Sequence, residues 1–295
     1  MATIGREIKR NSYKKERYTA EKADELAKNR CERELPSKFT ELAKDKIRDR
    51  LAIKWSPKKI SAWLKSEYNI FISYELIYQY INDDRKSEGT LYKLLPCRGK
   101  KYRRRNIKSR KVWKKNPIRR PISKRPAKER LKQEIGHWEG DTVESKGHRG
   151  GLGTFVDIKS KYVVIRKLKD KSSEEMKNAI IGSFKNCPEL IQTLTVDNGS
   201  EFALHDKVKK ELKSKVYFAD PYSPWQRGLN ENTNGLIRKF YPKGTDFSKI
   251  SEREILKVQE LLNSRPRDTL DFKTPKEIFM EEVFRNKKYK NMLML

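Results

Sequence analysis

Apolar residues fall at helical spacing along the first part of the chain. In YTAEKADELAKNRCER, residues 18–33, Ala23, Leu26 and Ala27 share one face; in FTELAKDKIRDRLAI, residues 39–53, so do Leu42, Ala43, Ile47 and Leu51. Ser56 and Pro57 make a cap and a first helical position, which predicts a helix running to about Glu67 with Ile60 and Leu64 inward. YNIFI reads as a turn. Ser73 then caps a second helix, YELIYQYI, that faces Leu76, Ile77, Tyr80 and Ile81 inward. Two short capped helices joined by a few residues outline a helix-turn-helix over about 56–82, within a helical region spanning 1–97. An ordinary helical hairpin has the same pattern.

After residue 132 the period changes to that of strands. HWEGDTV, GLGTFVDI and KYVVIRKL are rich in β-branched residues, and the second and third pair through a KSK turn. A helix over about 172–185 follows, carrying Met176, Ala179, Ile180 and Phe184. Then come a strand IQTLTV, a helix over about 203–213, a strand VYFA and a loop DPYSPWQRG. The next helix bears Glu231, and two more span about 251–263 and 275–285. This order predicts an α/β domain over 133–295 with a mixed sheet flanked by helices, preceded by the all-α region.

Between the two lies a stretch with almost no apolar periodicity. Of the 35 residues 98–132, 18 are Lys or Arg, and Pro117, Pro121 and Pro126 interrupt it. It reads as an extended basic linker. Such density favours neutralising phosphates over mere solvation.

Composition narrows the partners. The 295 residues carry 70 Lys and Arg against 40 acids, a formal charge of +30. That surplus repels itself unless a polyanion meets it, and nucleic acid is the favoured one; an anionic membrane surface and a basic ribosomal role are the competitors. No apolar run approaches the ~18 residues of a membrane span. The first residues do not form a secretory signal. Cys31, Cys97 and Cys187 are widely spaced, which argues against a disulfide framework or a structural zinc site and places the protein in the cytoplasm.

Three carboxylates carry the candidate chemistry. Asp141 sits on the first strand, on the same face as Glu139 and Val143. Asp197 ends a strand that should be adjacent, and open α/β sheets place their sites at strand carboxyl ends. Glu231 comes from a helix near that edge. Converging acids need cations between them, and hard oxygen-seeking ions such as Mg2+ or Mn2+ suit them; two of these can clamp both oxygens of a phosphodiester displacement. Singly, each acid has a plainer reading, a turn residue for Asp197 and a solvated surface for the others. Around Glu231 cluster Trp225, Gln226, Arg227, Asn230, Asn232 and Asn234, with Arg238 two turns on.

At these residues the sequence resembles a DDE transposase, specifically the IS-thirty family of bacterial insertion sequences. The motifs that carry the resemblance are GHWEGDTV, TVDNGSEFA, YFADPYSPWQRGLNENTNGLIRKFYPKGTDF, LNSRPR, WSPKKISAWL and SYELIYQYI. The resemblance implies a ribonuclease H-like integrase catalytic core and two divalent metals. It also implies binding of terminal inverted repeats, and cleavage and strand transfer. By position it makes Asp141, Asp197 and Glu231 the catalytic and metal-binding triad. DNA contacts are expected from Arg227, Asn230, Asn234, Arg238 and Lys239, from Tyr74 and Tyr78 on the second helix of the helix-turn-helix, and from Arg103, Arg104 and Arg105 in the basic stretch.

Family members open with a further helix-turn-helix ending in a phrase like REIKRN, found here at 6–11, so a shortened front is expected. The partners implied are double-stranded DNA, as element ends and as target, and further copies of the chain; no membrane is. Two rival readings are a repressor that binds the repeats without catalysis, or an inactive remnant of such an enzyme, and a ribonuclease H-type hydrolase that cuts without joining.

Overall fold

The strands lie in a sheet buried on both faces: every residue of Gly151–Asp157 and of Thr193–Val196 is buried. The computed structural model describes residues 2–11, 18–31, 39–95, 119–125, 133–148, 150–221, 223–286 and 289. Among them are β1 (His137–Glu144), β2 (Gly151–Asp157), β3 (Val163–Leu168), β4 (Thr193–Val196) and β5 (Lys215–Phe218). They form one sheet in the order β3-β2-β1-β4-β5. β1 runs antiparallel to β2 and β2 to β3, while β4 lies parallel to β1 and to β5. The mixed sheet expected from the sequence is present.

Helices cover both faces. Helices α6 (Ser173–Phe184), α7 (His205–Leu212) and α10 (Pro275–Arg285) build one core around Trp138 and Phe155. Trp138 meets the Phe184 ring edge-on at 4.9 Å and donates its indole N–H to the Leu190 carbonyl at 2.6 Å. On the other face, α8 (Gly228–Phe240) and α9 (Glu252–Asn263) pack Leu236, Ile237, Ile255, Val258 and Leu262 against Val143, Leu152, Val156, Val163 and Ile165. Asn263 of α9 closes the outer edge of β3. Its Nδ2 donates to the Val163 carbonyl at 2.9 Å, and its Oδ1 accepts the Val163 N–H at 2.8 Å. Gln259 accepts the Ile165 N–H at 2.7 Å, so side-chain amides stand in for a neighbouring strand.

The N-terminal region contains α1 (Ala2–Asn11), α2 (Ala20–Cys31), α3 (Glu41–Ala52), α4 (Pro57–Tyr68) and α5 (Tyr74–Lys86). Helices α3 to α5 share their own core of Ile47, Leu51, Trp55, Ile60, Leu64, Ile77 and Ile81. Thr40 and Ser73 cap α3 and α5 through their side chains. Ser56 takes the extended cap conformation at the start of α4 but makes no side-chain cap bond. Leu42, placed inward by spacing, is exposed.

Arg103, Arg104 and Arg105 lie outside the described residues. Within the stretch read as an extended linker, however, 119–125 is docked. Pro121 bridges to Phe218, the Phe218 N–H donates to the Arg120 carbonyl at 2.9 Å, and Ile122 is buried. The open edge of β5 supplies the partners that a charge count cannot reveal. Lys59 of α4 also reaches the far part of the chain, donating to the Pro266 carbonyl at 2.7 Å and to Asp268 at 2.9 Å. No helix among the described residues is long and apolar enough to cross a membrane.

Candidate active site

The register of the sheet places the first two acids side by side. Glu139 of β1 faces Thr195 of β4 in a parallel pairing, so two residues further on Asp141 comes level with Asp197. Alternation turns Glu139, Asp141 and Val143 to the α8 face. Gly140 lies between them on the opposite face, where a Cβ would come within 3.1 Å of Val196 and 3.2 Å of Leu194. Its missing side chain leaves room for the side chains of Val196 and Leu194.

One guanidinium joins the pair. Arg227, just before α8, sets Nη1 3.5 Å from Asp141 Oδ1 and Nη2 3.3 Å from Asp197 Oδ2. Its Nη1 also donates to the Gly140 carbonyl at 3.1 Å. Each aspartate has a second support. Asn234 Nδ2 donates to Asp141 Oδ2 at 2.9 Å, and the Gly199 N–H donates to Asp197 Oδ1 at 2.8 Å. Burial pushes the Asp141 carboxyl above the usual range and Asp197 beside it adds to this, while Arg227 and the Thr142 N–H pull it back.

Glu231 follows Arg227 by one helical turn, in the first turn of α8, and is exposed. Among the described residues no three of His, Cys, Asp and Glu stand close enough together to hold a metal ion. The structure therefore closes Asp141 and Asp197 into a pair and leaves Glu231 outside it.

The residues expected on DNA divide into several groups. Asn230 is fully buried: its Oδ1 lies 3.3 Å from the Thr154 hydroxyl, whose other neighbours are Asn234 Oδ1 at 3.0 Å and the Asp141 carbonyl at 3.2 Å. With Asn234 bonded to Asp141, both asparagines support the site in this structure. Arg227 likewise binds the aspartates in this structure. Arg238 donates to the Glu144 carbonyl at 2.8 Å and so holds the end of β1. Lys239 is half-buried further along α8. Tyr74 and Tyr78 stand exposed on α5.

Three groups near the site escaped the sequence reading. Glu139, noted there only for its shared face, is buried and accepts the Asn230 N–H at 3.0 Å, which fixes the start of α8 against β1. Burial raises its carboxyl, against the Asn230 N–H and the charges of Arg125, Arg227 and Lys161. Glu201 is buried too, accepting from Thr142 at 3.0 Å with Lys171 3.6 Å away. Its place in the same phrase as Asp197 was the available signal. Arg119 donates to the Asn198 carbonyl at 2.8 Å and the Gly199 carbonyl at 3.3 Å, clamping the turn after Asp197. No periodicity announces that contact.

Known proteins supply the context. Residues 132–224 match the Integrase core domain family. The transposase for insertion sequence element IS4351 of Bacteroides fragilis is 36% identical over 293 residues, covering 97% of this chain and 88% of its own. The transposase InsI for insertion sequence element IS30C of Escherichia coli (strain K12) is 36% identical over 293 residues, covering 96% of this chain and 76% of its own. Among solved structures, the simian T-cell lymphotropic virus intasome in complex with a PP2A regulatory subunit aligns at a TM-score of 0.42 and 22% identity, over 49% of this chain and 54% of that one. The five-stranded mixed sheet with its helices carries the integrase core match, and the described residues before it are helical with their connecting turns. With such identity sustained along nearly its whole length, the chain belongs to the IS30 family of insertion-sequence transposases.

Proposed function

We propose that the protein binds the terminal inverted repeats of its insertion sequence, cuts DNA at their ends and joins the freed 3′ hydroxyl to a target. Asp141, Asp197 and Glu231 are the catalytic acids in this reading, with two Mg2+ or Mn2+ ions as cofactors and several copies of the chain acting on the DNA together. The observation that carries it is the single guanidinium shared by Asp141 and Asp197 at the ends of two parallel strands. Arg227 is a stand-in cation there, and its three partners are all oxygens: two carboxylates and the Gly140 carbonyl. Such a donor set suits hard divalent ions.

When bound, those ions supply a water of lowered pKa and stabilise charge on the attacking and leaving oxygens. The chain's own residues arrange the site. Asn234 orients Asp141, and the Gly199 N–H orients Asp197. Glu139 fixes the first turn of α8, where Glu231 begins its approach. Arg227, released from the aspartates, offers a fork of donors matched to a phosphodiester. Helices α4 and α5, with the basic stretch 98–132, hold the duplex through phosphate neutralisation and groove contacts.

The test is Asp197→Asn in the full chain, with a duplex carrying the element's end and Mg2+ or Mn2+. Strand transfer should vanish while duplex binding persists; retained joining refutes the assignment. Wild-type protein that binds without cation-dependent nicking supports the repressor reading, and nicking without joined product supports the hydrolase.

A further inference from the structure

The loop after α9 buries more positive charge than its neighbours offset. Arg265 and Arg267, on either side of Pro266, are only 3% and 8% exposed. Nε and Nη1 of Arg265, and Nε and Nη2 of Arg267, are buried without a hydrogen-bond partner. Lys59 of α4 enters the same cluster through the Pro266 carbonyl and Asp268, and Lys58 lies 3.5 Å from Asp268. Asp268 thus serves two lysines and also acts on Arg265, while four of the arginine nitrogens go unmatched. Burial first, and Arg265 beside it, bring Arg267 down to about 10. Burial also lowers Lys59, helped by the two arginines and opposed by Asp268.

A buried cation without a partner is costly, so a folded chain that keeps two of them is short of an anion. The start of α4 adds to the demand. Ser56 gives it no side-chain cap; its carbonyl accepts the Lys59 and Ile60 N–H groups, and the positive end of the 12-residue helix dipole still favours an anion. Arginine forks match phosphate oxygens in pairs. The place of the cluster decides which phosphate. It lies at the start of the first helix of the helix-turn-helix, the element that crosses the backbone in such motifs.

We propose that Arg265, Arg267, Lys58 and Lys59 form a seat for one backbone phosphate of DNA, gripped jointly by α4 and by the loop after α9. A single phosphodiester then touches both the helix-turn-helix and the catalytic core, so holding an element end also fixes the core against it. This rests on the DNA reading above and is independent of the metal site.

The test is binding of a fluorescein-labelled duplex containing the element's end to the full chain, by anisotropy across a salt series. Arg267→Gln and Lys58→Ala should each reduce the slope of log K against log salt by about one. Asp268→Asn should act in the opposite direction and tighten binding, an effect that misfolding cannot produce; it and the surface variant Lys58→Ala remain decisive if Arg267→Gln does not fold. Unchanged slopes in folded variants, or no tightening by Asp268→Asn, overturn the seat while wild-type binding leaves the DNA reading standing. Failure of the wild type to bind any duplex overturns both. Thermal stabilisation by inorganic phosphate that Arg267→Gln abolishes, with slopes unchanged, assigns the cluster to a free anion and overturns the proposal.

Discussion

Arg227 is ion-paired to Asp197, Nη2 to Oδ2 at 3.3 Å, while its other terminal nitrogen serves Asp141 at 3.5 Å. A guanidinium in that position competes with any divalent ion for the same oxygens. Arg227→Gln removes the competitor and leaves two carboxylates facing each other. Without metal the variant should lose about 1–3 kcal/mol of stability, the range for stranding buried polar groups. Mn2+ should then raise its urea midpoint more than it raises that of the wild type, and electron paramagnetic resonance should show tighter Mn2+ binding by the DNA-free variant. Equal Mn2+ affinity in the two proteins would show that Arg227 does not stand in for the ion.

Glu231 makes a contrasting case. It is exposed in the first turn of α8, so Glu231→Gln should leave stability within about 0.5 kcal/mol of wild type. Joining should nonetheless fall by at least about 100-fold, the scale of removing several kcal/mol of charge stabilisation. Parallel thermal melts and strand-transfer assays check it. A variant that joins at the wild-type rate removes Glu231 from the triad.

How much of this was legible depended on whether a residue's partners were local. The helix starts at Ser251 and Thr274 are reciprocal capping boxes with Glu254 and Glu277 three residues on, a relation visible in the string. Period-two alternation gave the faces of β1, and the polar phrase after the β4 run gave Asp197. Arg227 was visible as a charge, but its partners come from β1 and the end of β4, and nothing in a helical wheel points there. Asn230 and Asn234 read as DNA contacts because the sequence does not say which face of α8 meets Thr154. Arg265 and Arg267 are the extreme case: Pro266 between them accepts from a lysine some two hundred positions away.

Asp157 gives a pH signature clear of the candidate metal ligands. It is fully buried and accepts from the Gly136 N–H at 2.9 Å, the Ser160 N–H at 2.8 Å and the Ser160 hydroxyl at 2.7 Å. Burial raises its carboxyl above the ordinary value, against those bonds and the charge of His137. A raised carboxyl holds its proton longer in the folded than in the unfolded state. Its contribution is therefore full below the unfolded value and is lost as pH climbs through the folded one. Asp157→Asn lacks this titration but gives up an acceptor, for a cost of about 1–3 kcal/mol. Urea midpoints should show the gap between wild type and variant widest near pH 4 and narrowing towards pH 8, both about as far apart as the carboxylate range allows. A gap that widens with pH contradicts the sign.

The edge of β3 offers a prediction about the fold itself. Asn263 is fully buried, and its amide exchanges two hydrogen bonds with the backbone of Val163. Asn263→Ala leaves one backbone N–H and one carbonyl unpaired beneath α9, in the buried interior. Each such group costs about 1–3 kcal/mol, so a loss of about 2–6 kcal/mol is expected. Asn263→Asp keeps an acceptor for the Val163 N–H but turns a carboxylate oxygen towards the Val163 carbonyl, and should be as damaging at neutral pH and milder in acid, where the protonated carboxyl donates again. Urea unfolding of the three proteins at two pH values measures this directly. If alanine is tolerated within about 0.5 kcal/mol, the amide does not carry the edge and α9 holds β3 by its apolar contacts alone.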